Sequence, residues 1–154
     1  MRKSDLLLLT PRAIDPAALD PSLTDPACGA VVSFVGRVRD EHLGRKVLHL
    51  DYEAWDSLAL KEMSRLLAEA RKKWDLGPVI LAHRTGHLRI GNVAVLVAVA
   101  GGHRGETFDA CRFLIEGIKD SVPVWKHEFY TDGTEAWVGA PGWKGAPLLN
   151  AQKV

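Results

Sequence analysis

The sequence predicts one α+β domain whose strands pair mostly in an antiparallel arrangement. Residues 93–100 form an uninterrupted apolar run, which suits a strand buried on both faces. Two stretches carry apolar residues at helical spacing, and an Asp-Gly pair at 132–133 indicates a tight hairpin. Along the chain these signals predict the order β-β-α-β-β-α-β-β. A length of 154 residues fits a single domain over residues 1–154, with its core at about 29–138.

The first predicted elements are identified by a helix cap and by the alternation of side chains between two strand faces. Residues 6–9 form a short strand, and Asp15 followed by Pro16 begins a small helix. From residue 30 the pattern has period two: Ala30, Val32, Phe34 and Val38 fall on one face, and Arg37 and Arg39 fall on the other. The polar residues 40–46 predict a hairpin loop, and residues 47–53 predict the returning strand.

The second half contains both long helices. The first begins at Asp56 or Ser57 and buries Met63, Leu66, Leu67, Ala70 and Trp74. Strands at 79–84 and 93–100 follow, separated by a turn at Gly91-Asn92. The second helix begins near Glu106, with an inward stripe of Phe108, Cys111, Ile115 and Ile118. Strands at 124–130 and 134–138 complete the core, and residues 139–154 are expected to form a loosely held tail.

Composition excludes several classes of function. The chain has 20 Lys and Arg against 19 Asp and Glu, so it lacks the excess positive charge expected of a nucleic-acid-binding protein. No apolar run approaches the roughly 20 residues that span a bilayer, so we expect a cytoplasmic protein without a membrane segment. Cys28 and Cys111 lie far apart, and the histidines lack the spacing of metal ligands. We therefore expect neither a metal nor another cofactor.

Two arginines and a glycine-flanked His-Arg pair are candidates for binding an anion. Arg37 and Arg39 lie on one face of a strand end, where two guanidinium groups suit a phosphate. The alternative is a charged, solvated edge strand. His103-Arg104 lies between glycines just before a helix, where free N–H groups favour anions. The alternative is a tight turn with exposed side chains.

The late lysines form a third candidate group. Lys126 and Glu128 share one strand face, and His127 points to the opposite face. Lys119 lies near the end of the second helix, where a lysine also complements the helix dipole. These residues predict a basic pocket built from a strand end, a helix start and a late strand. From the residues alone, such a pocket could bind a phosphorylated small molecule or an anionic chain terminus, and no reaction is identified.

Five segments in this order resemble the large, catalytic subunit of molybdopterin synthases. They are Gly36-Arg37-Val38-Arg39, Asp51-Tyr52-Glu53-Ala54, His83-Arg84-Thr85-Gly86, Gly102-His103-Arg104 and Val122-Pro123-Val124-Trp125-Lys126-His127-Glu128. The resemblance covers residues 29–138. It implies an α+β fold with a hammerhead-like subdomain and a sulfurtransferase activity. The implied substrate is cyclic pyranopterin monophosphate, which becomes molybdopterin with its dithiolene, in molybdenum cofactor biosynthesis.

The resemblance also implies partners and roles. A homodimer of large subunits would bind two small ubiquitin-like sulfur carriers, giving a heterotetramer, and each carrier would present a Gly-Gly thiocarboxylate. Lys119 and Lys126 would be catalytic. The implied substrate-binding residues are Arg37, Val38, Arg39, His103, Arg104, Lys119, Lys126, His127 and Glu128. Many members of the family carry Lys or Arg at the position of His127, and we expect little catalytic consequence of this difference because His127 faces away from Lys126.

The competing hypothesis is a binding module that captures an anionic peptide end or nucleotide without turnover. The presence of Lys119 and Lys126 together with His103-Arg104 favours the enzyme, because a scaffold needs no amine at a reacting centre. Five tryptophans in a small domain also favour a homodimer, since one modest core does not readily bury them all.

Overall fold

The computed structural model describes residues 4–139, and the predicted tail at 140–154 lies outside the described residues. The elements are β1 (Leu6–Thr10), α1 (Pro16–Leu19), a 3-10 turn (Asp20–Leu23), β2 (Ala30–Arg37), β3 (Glu41–His42), β4 (Arg45–Ala54), α2 (Asp56–Lys73), β5 (Leu76–Arg84), β6 (Gly86–Arg89), β7 (Val93–Gly101), α3 (Arg104–Ser121), β8 (Val124–Tyr130) and β9 (Glu135–Val138). The predicted α+β class is confirmed.

The first sheet has four strands in the order β1-β5-β7-β2. Only β1 and β5 run parallel in this sheet, and the other two pairings are antiparallel. Strand β7 is buried along its whole length, as its unbroken apolar sequence predicts. Helices α2 and α3 cover one face of the sheet, and Ile14 and Leu23 pack on the other. Strand β2 lies at the edge of the sheet.

The second sheet is centred on β4, which pairs with β3, β6 and β8, and β9 extends it beyond β8. The β8–β9 hairpin turns at Asp132-Gly133, where Gly133 has a φ of 82°, so the Asp-Gly prediction is confirmed. A small apolar cluster joins the two sheets: Val38, Leu50 and Leu88 pack with Ala94 at the start of β7. This junction fixes the end of β2 against the face of β4.

Three sequence predictions differ from the structure. Strand β6 was not predicted, because its four residues form a stable strand only by pairing with β4. The predicted loop at 40–46 contains the two-residue strand β3. Phe108 was predicted to face inward but is 60% exposed, because α3 carries a second apolar stripe beside the open edge of β2. No helix within residues 4–139 combines the length and apolarity needed to cross a bilayer.

Candidate functional site

The predicted basic residues meet, in part, in a pocket of about 280 Å³ between the two sheets. The end of β2, the inner face of β4 and β8, and the last turn of α3 form its walls. Six of the predicted site residues line it, namely Arg37, Val38, Arg39, Lys119, Lys126 and Glu128. A strand end and a late strand therefore meet there as predicted, but the helix contributes its C-terminal end.

Lys126 is held by a buried carboxylate. Glu128 is only 1% exposed, and its Oε1 lies 2.5 Å from the Lys126 amine. The two side chains are two residues apart on β8, so they share the face that looks into the pocket. This pairing fixes the Lys126 ammonium in position.

Two further groups hold the second oxygen of Glu128. The Tyr130 hydroxyl donates to Oε2 at 2.6 Å, and the Nδ1 atom of His42 lies 2.7 Å from the same oxygen. Burial, the largest single influence, raises the pKa of Glu128, but the bonds from Lys126, Tyr130 and His42 together lower it below its usual value. Glu128 is thus a permanent carboxylate at neutral pH. The Arg45 guanidinium lies 3.6 Å from the centre of the Tyr130 ring and completes this support.

Lys119 has a different environment from Lys126. The residue is exposed at the open side of the site, yet protein atoms crowd its amine, and this partial burial lowers its pKa. The positive charge of Lys126 lowers the pKa of Lys119 further. Within residues 4–139, no carboxylate lies within ion-pair distance of Lys119. Lys119 therefore releases a proton more readily than an ordinary lysine does.

The Arg37-Val38-Arg39 segment forms the wall opposite β8. A register shift between Gly36 and Arg37 ends the pairing of β2 with β7. Arg37 donates to the carbonyl oxygen of Gly91 at 2.9 Å, which ties one arginine to the β6–β7 turn. Val38 is buried, and Arg39 is exposed. Arg39 is the arginine of this pair whose guanidinium has no protein partner in the described part of the chain.

His127 lies on the outer face of the second sheet, as its position between Lys126 and Glu128 predicts. Its ring stacks on Trp137 with centroids 4.3 Å apart, and it also contacts Phe129. Because the strand separates His127 from the pocket, it cannot bind the same ligand as Lys126 within one chain. Its predicted substrate-binding role therefore finds no support in this geometry.

The His103-Arg104 pair lies at the other end of the molecule. It begins α3, whereas Lys119 lies in the last turn, and fifteen residues of helix separate Arg104 from Lys119 by about 22 Å. His103 lines a different cavity, of about 270 Å³, together with Cys28 and Glu106. The sequence-based expectation of one pocket that includes the helix start is therefore wrong for a single chain.

Sequence reasoning missed three residues of the site. Tyr52 lies directly opposite Lys126 in the β4–β8 pair and lines the pocket. His42 and Tyr130 support Glu128. A signal existed for Tyr52, since it belongs to one of the segments that carry the family resemblance. No local pattern pointed to His42, because only the folding of the β3–β4 hairpin over β8 brings it to Glu128.

A second depression adjoins the pocket. A groove of about 700 Å³ runs between the edge strand β2 and helix α3, and it ends at Lys119. Its rim exposes Phe34 and Phe108, which are 39% and 60% accessible. An apolar groove beside an unpaired strand edge is a typical contact surface for another chain.

Within the described residues, no group of three or more His, Cys, Asp or Glu side chains is placed to hold a metal ion. The two cysteines do not pair with each other: Cys111 lies on the buried face of α3, and burial raises the pKa of its thiol. The ionisable and polar side chains that line the pocket are amines, guanidinium groups, a phenol, an imidazole and two carboxylates.

Comparison with known proteins identifies the family of this chain. The family model for the MoaE protein matches residues 9–121. The chain belongs to the MoaE family of molybdopterin synthase catalytic subunits. A relative of that name from Pyrococcus abyssi is 46% identical over 110 residues, which cover 71% of this chain and 74% of the relative.

Solved structures of the family share the fold. Molybdopterin synthase from Staphylococcus aureus superimposes with a TM-score of 0.79 at 33% identity, covering 90% of this chain and 99% of that one. A complex of subunits 1 and 2 of molybdopterin-converting factor from Helicobacter pylori gives a TM-score of 0.67 at 21% identity, over 86% of this chain and 88% of that one. This last likeness shows the fold alone.

Proposed function

We propose that the chain is the catalytic subunit of a molybdopterin synthase that transfers sulfur to cyclic pyranopterin monophosphate. The sulfur comes from the C-terminal thiocarboxylate of a small ubiquitin-like carrier subunit. The observation that carries the proposal is the meeting of Arg39, Lys119 and Lys126 in one pocket of a MoaE-family chain. Cations fixed at a reacting centre stabilise developing negative charge, which is commonly the largest contribution to catalysis.

The proposed chemistry exchanges oxygen for sulfur without a net redox step. The carrier's sulfur forms a bond to a substrate carbon as a C–O bond of that carbon breaks and its oxygen leaves as water. A water molecule then cleaves the bond between the sulfur and the carrier's acyl carbon, so the sulfur stays on the substrate and the carrier ends as a carboxylate. Arg39 and Lys126 bind the phosphate, and Lys119 accepts and returns protons beside the reacting carbons. The lowered pKa of Lys119 favours this enzyme over a simple binding module, since a module that only captures anions gains from a fully charged amine.

A second copy of the chain supplies His103 and Arg104 in this proposal. These residues lie too far from Lys119 to act in the same site of one chain, as the length of α3 shows. A twofold axis across the groove between β2 and α3 would place the start of one α3 near the end of the other and would cover Phe34 and Phe108. The active dimer then binds one carrier at each site, giving a heterotetramer. The Helicobacter pylori structure is a complex of subunits 1 and 2 of molybdopterin-converting factor.

The direct test is incubation of the chain with cyclic pyranopterin monophosphate and a thiocarboxylated carrier. We expect a dithiolene product and conversion of the carrier to its carboxylate form. A carrier that ends in an ordinary carboxylate is the matched control and should give no product. Absence of product with the thiocarboxylated carrier and intact protein would reject the proposed activity.

The shared site is tested by complementation. His103→Ala and Lys119→Ala chains with different affinity tags are co-expressed, and the mixed dimer is purified through both tags. Each variant alone should be inactive, while the mixed dimer keeps one intact site of two and recovers about half of wild-type activity. A mixed dimer as inactive as its parents would place both residues in the same chain's site and reject the arrangement.

A further inference from the structure

Tyr52 occupies a central place in the pocket without any role assigned so far. It lies on β4 directly opposite Lys126 and faces the same side of the sheet as Glu128. Its ring is held by two contacts on the protein side. It meets the buried His83 ring edge-on with centroids 4.9 Å apart, and it packs against the Val38–Leu50–Leu88–Ala94 cluster. The side chain is therefore held in one orientation.

The hydroxyl of Tyr52 forms no hydrogen bond within residues 4–139. The other tyrosine of the chain, Tyr130, provides the contrast, because its hydroxyl donates to Glu128 at 2.6 Å. A half-buried hydroxyl without a partner is costly unless a ligand or water bonds to it. The free hydroxyl lies in the wall of the pocket, where a ligand can reach it.

The charged groups around Tyr52 can each act only as hydrogen-bond donors or only as acceptors. Arginine and lysine side chains can only donate hydrogen bonds. The carboxylates that line the pocket are already paired, Glu41 with Lys46 at 2.9 Å and Glu128 with Lys126. Burial, followed by the charge of Glu128, raises the pKa of Tyr52 to about 12, so the phenol remains neutral. It can therefore both donate and accept.

We propose that the Tyr52 hydroxyl binds the heterocyclic part of the substrate and not its phosphate. The surrounding cations satisfy a phosphate, whose oxygens accept hydrogen bonds. A pterin ring presents N–H donors as well as carbonyl and ring-nitrogen acceptors, and Tyr52 is the neutral group of the pocket wall able to match either kind. The inference rests on the proposed function and extends it by assigning a residue that distinguishes a pterin phosphate from other phosphates.

The test compares Tyr52→Phe with the wild-type full-length chain by calorimetric titration. Tyr52→Phe removes one hydroxyl that forms no hydrogen bond within residues 4–139, so its melting temperature should stay unchanged. Affinity for cyclic pyranopterin monophosphate should fall about fivefold to tenfold, as expected for a single hydrogen bond. Affinity for inorganic phosphate, the second probe, should not change.

Tyr130→Phe is the matched control, since it deletes the same atom from the tyrosine that supports Glu128. Its melting temperature should fall, and any weakening should affect both ligands alike because it acts through Lys126. Equal affinity of Tyr52→Phe and wild type for the pterin would overturn the inference, and so would an equal loss for both ligands. A wild-type chain that binds phosphate but not the pterin would instead overturn the proposed function together with this inference.

Discussion

At the scale of single residues, the two lysines of the pocket differ in their counter-ions. Lys126 is paired with the buried Glu128, whereas Lys119 forms no ion pair within residues 4–139. A lysine whose ammonium group is held in position by a carboxylate, as Lys126 is, is suited to bind a phosphate in a fixed place. A lysine without an ion-pair partner and with a lowered pKa exchanges protons more readily than an ordinary lysine does.

Lys119→Ala should leave the protein folded but reduce sulfur transfer by about 100-fold or more, as loss of an acid-base group or charge donor does. The free energy of unfolding should change by less than about 1 kcal/mol, since the lost helix-dipole contact is worth no more. Single-turnover product formation and thermal melts measure the two effects. Lys72→Ala, in the last turn of α2, is the matched control and should keep full activity. Near wild-type turnover in Lys119→Ala would show that this lysine serves the helix dipole alone.

His83 makes stability depend on pH. It is 2% exposed, and burial followed by the charge of Lys119 lowers its pKa from 6.5 to about 4. Between these values the unfolded chain binds a proton that the folded chain does not, so stability falls as the pH drops from 6.5 towards 4. The full shift corresponds to about 3 kcal/mol. His83 Nδ1 donates to the carbonyl of Arg84 at 2.8 Å, a bond that an asparagine amide can replace.

His83→Asn should therefore flatten the loss of stability between pH 6.5 and 4, even if it lowers stability at every pH. Urea unfolding at several pH values within this range measures the slope for both proteins. Acid unfolding below this window should remain, because the stabilising ionisation of Glu128 is lost as pH falls through its lowered pKa. A variant with the same slope as wild type would contradict the neutral state of buried His83.

At the scale of elements, the close approach of α2 and α3 sets where Lys119 lies. Gly117 is the contact point, and a Cβ built there would come within 2.5 Å of Leu66 on α2. Lys119 follows only two residues later. The packing of the helices thus determines how far the last turn of α3 reaches towards the pocket.

Gly117→Ala should lower the free energy of unfolding by about 1–3 kcal/mol, because Leu66 must turn away within a packed core. Gly105→Ala is the control on the same helix. A Cβ at Gly105 meets no atom within 4 Å, so that change should be neutral or stabilising by up to about 1 kcal/mol. Urea unfolding measures the free energy of unfolding of the two variants. These free energies should change in opposite directions or, at least, differ by more than about 1 kcal/mol. Equal midpoints would exclude close helix contact at Gly117.

At the scale of the whole molecule, the described residues 4–139 leave the edge of β2 unpaired beside an apolar groove, and His103-Arg104 lies away from the pocket. In the proposed homodimer, a second copy on the same face would cover the groove and supply His103-Arg104. The proposed contact surface is therefore the one formed by β2 and α3.

Phe108→Asp should convert the dimer to a monomer, because it places a charge in the centre of the proposed contact. Light scattering at micromolar concentration measures the mass. The control is Leu48→Asp on β4, which replaces another exposed apolar side chain, 53% accessible, and should remain dimeric. A wild-type monomer would reject the dimer itself, while a dimeric Phe108→Asp would reject only the proposed surface.

The sequence by itself determined the features that depend on local periodicity. Alternation along β8 separated Lys126 and Glu128 from His127, and unbroken apolarity identified β7 as a central strand. The Asp132-Gly133 turn was also predictable, because its backbone conformation restricts the residues allowed. All three follow from interactions between residues close in the chain.

Only the tertiary structure decided which distant groups meet. The pocket uses the end of α3 and not its start, because the direction of α3 across the sheet carries Arg104 about 22 Å away from Lys119. Pairing between strands brings Tyr52 opposite Lys126, and the folded β3–β4 hairpin brings His42 to Glu128. Helical spacing placed Phe108 on an apolar face of α3, but spacing alone does not show whether that face packs in the core or lines a groove. Such contacts join residues far apart in the chain, so their geometry is fixed by packing and not by any local pattern.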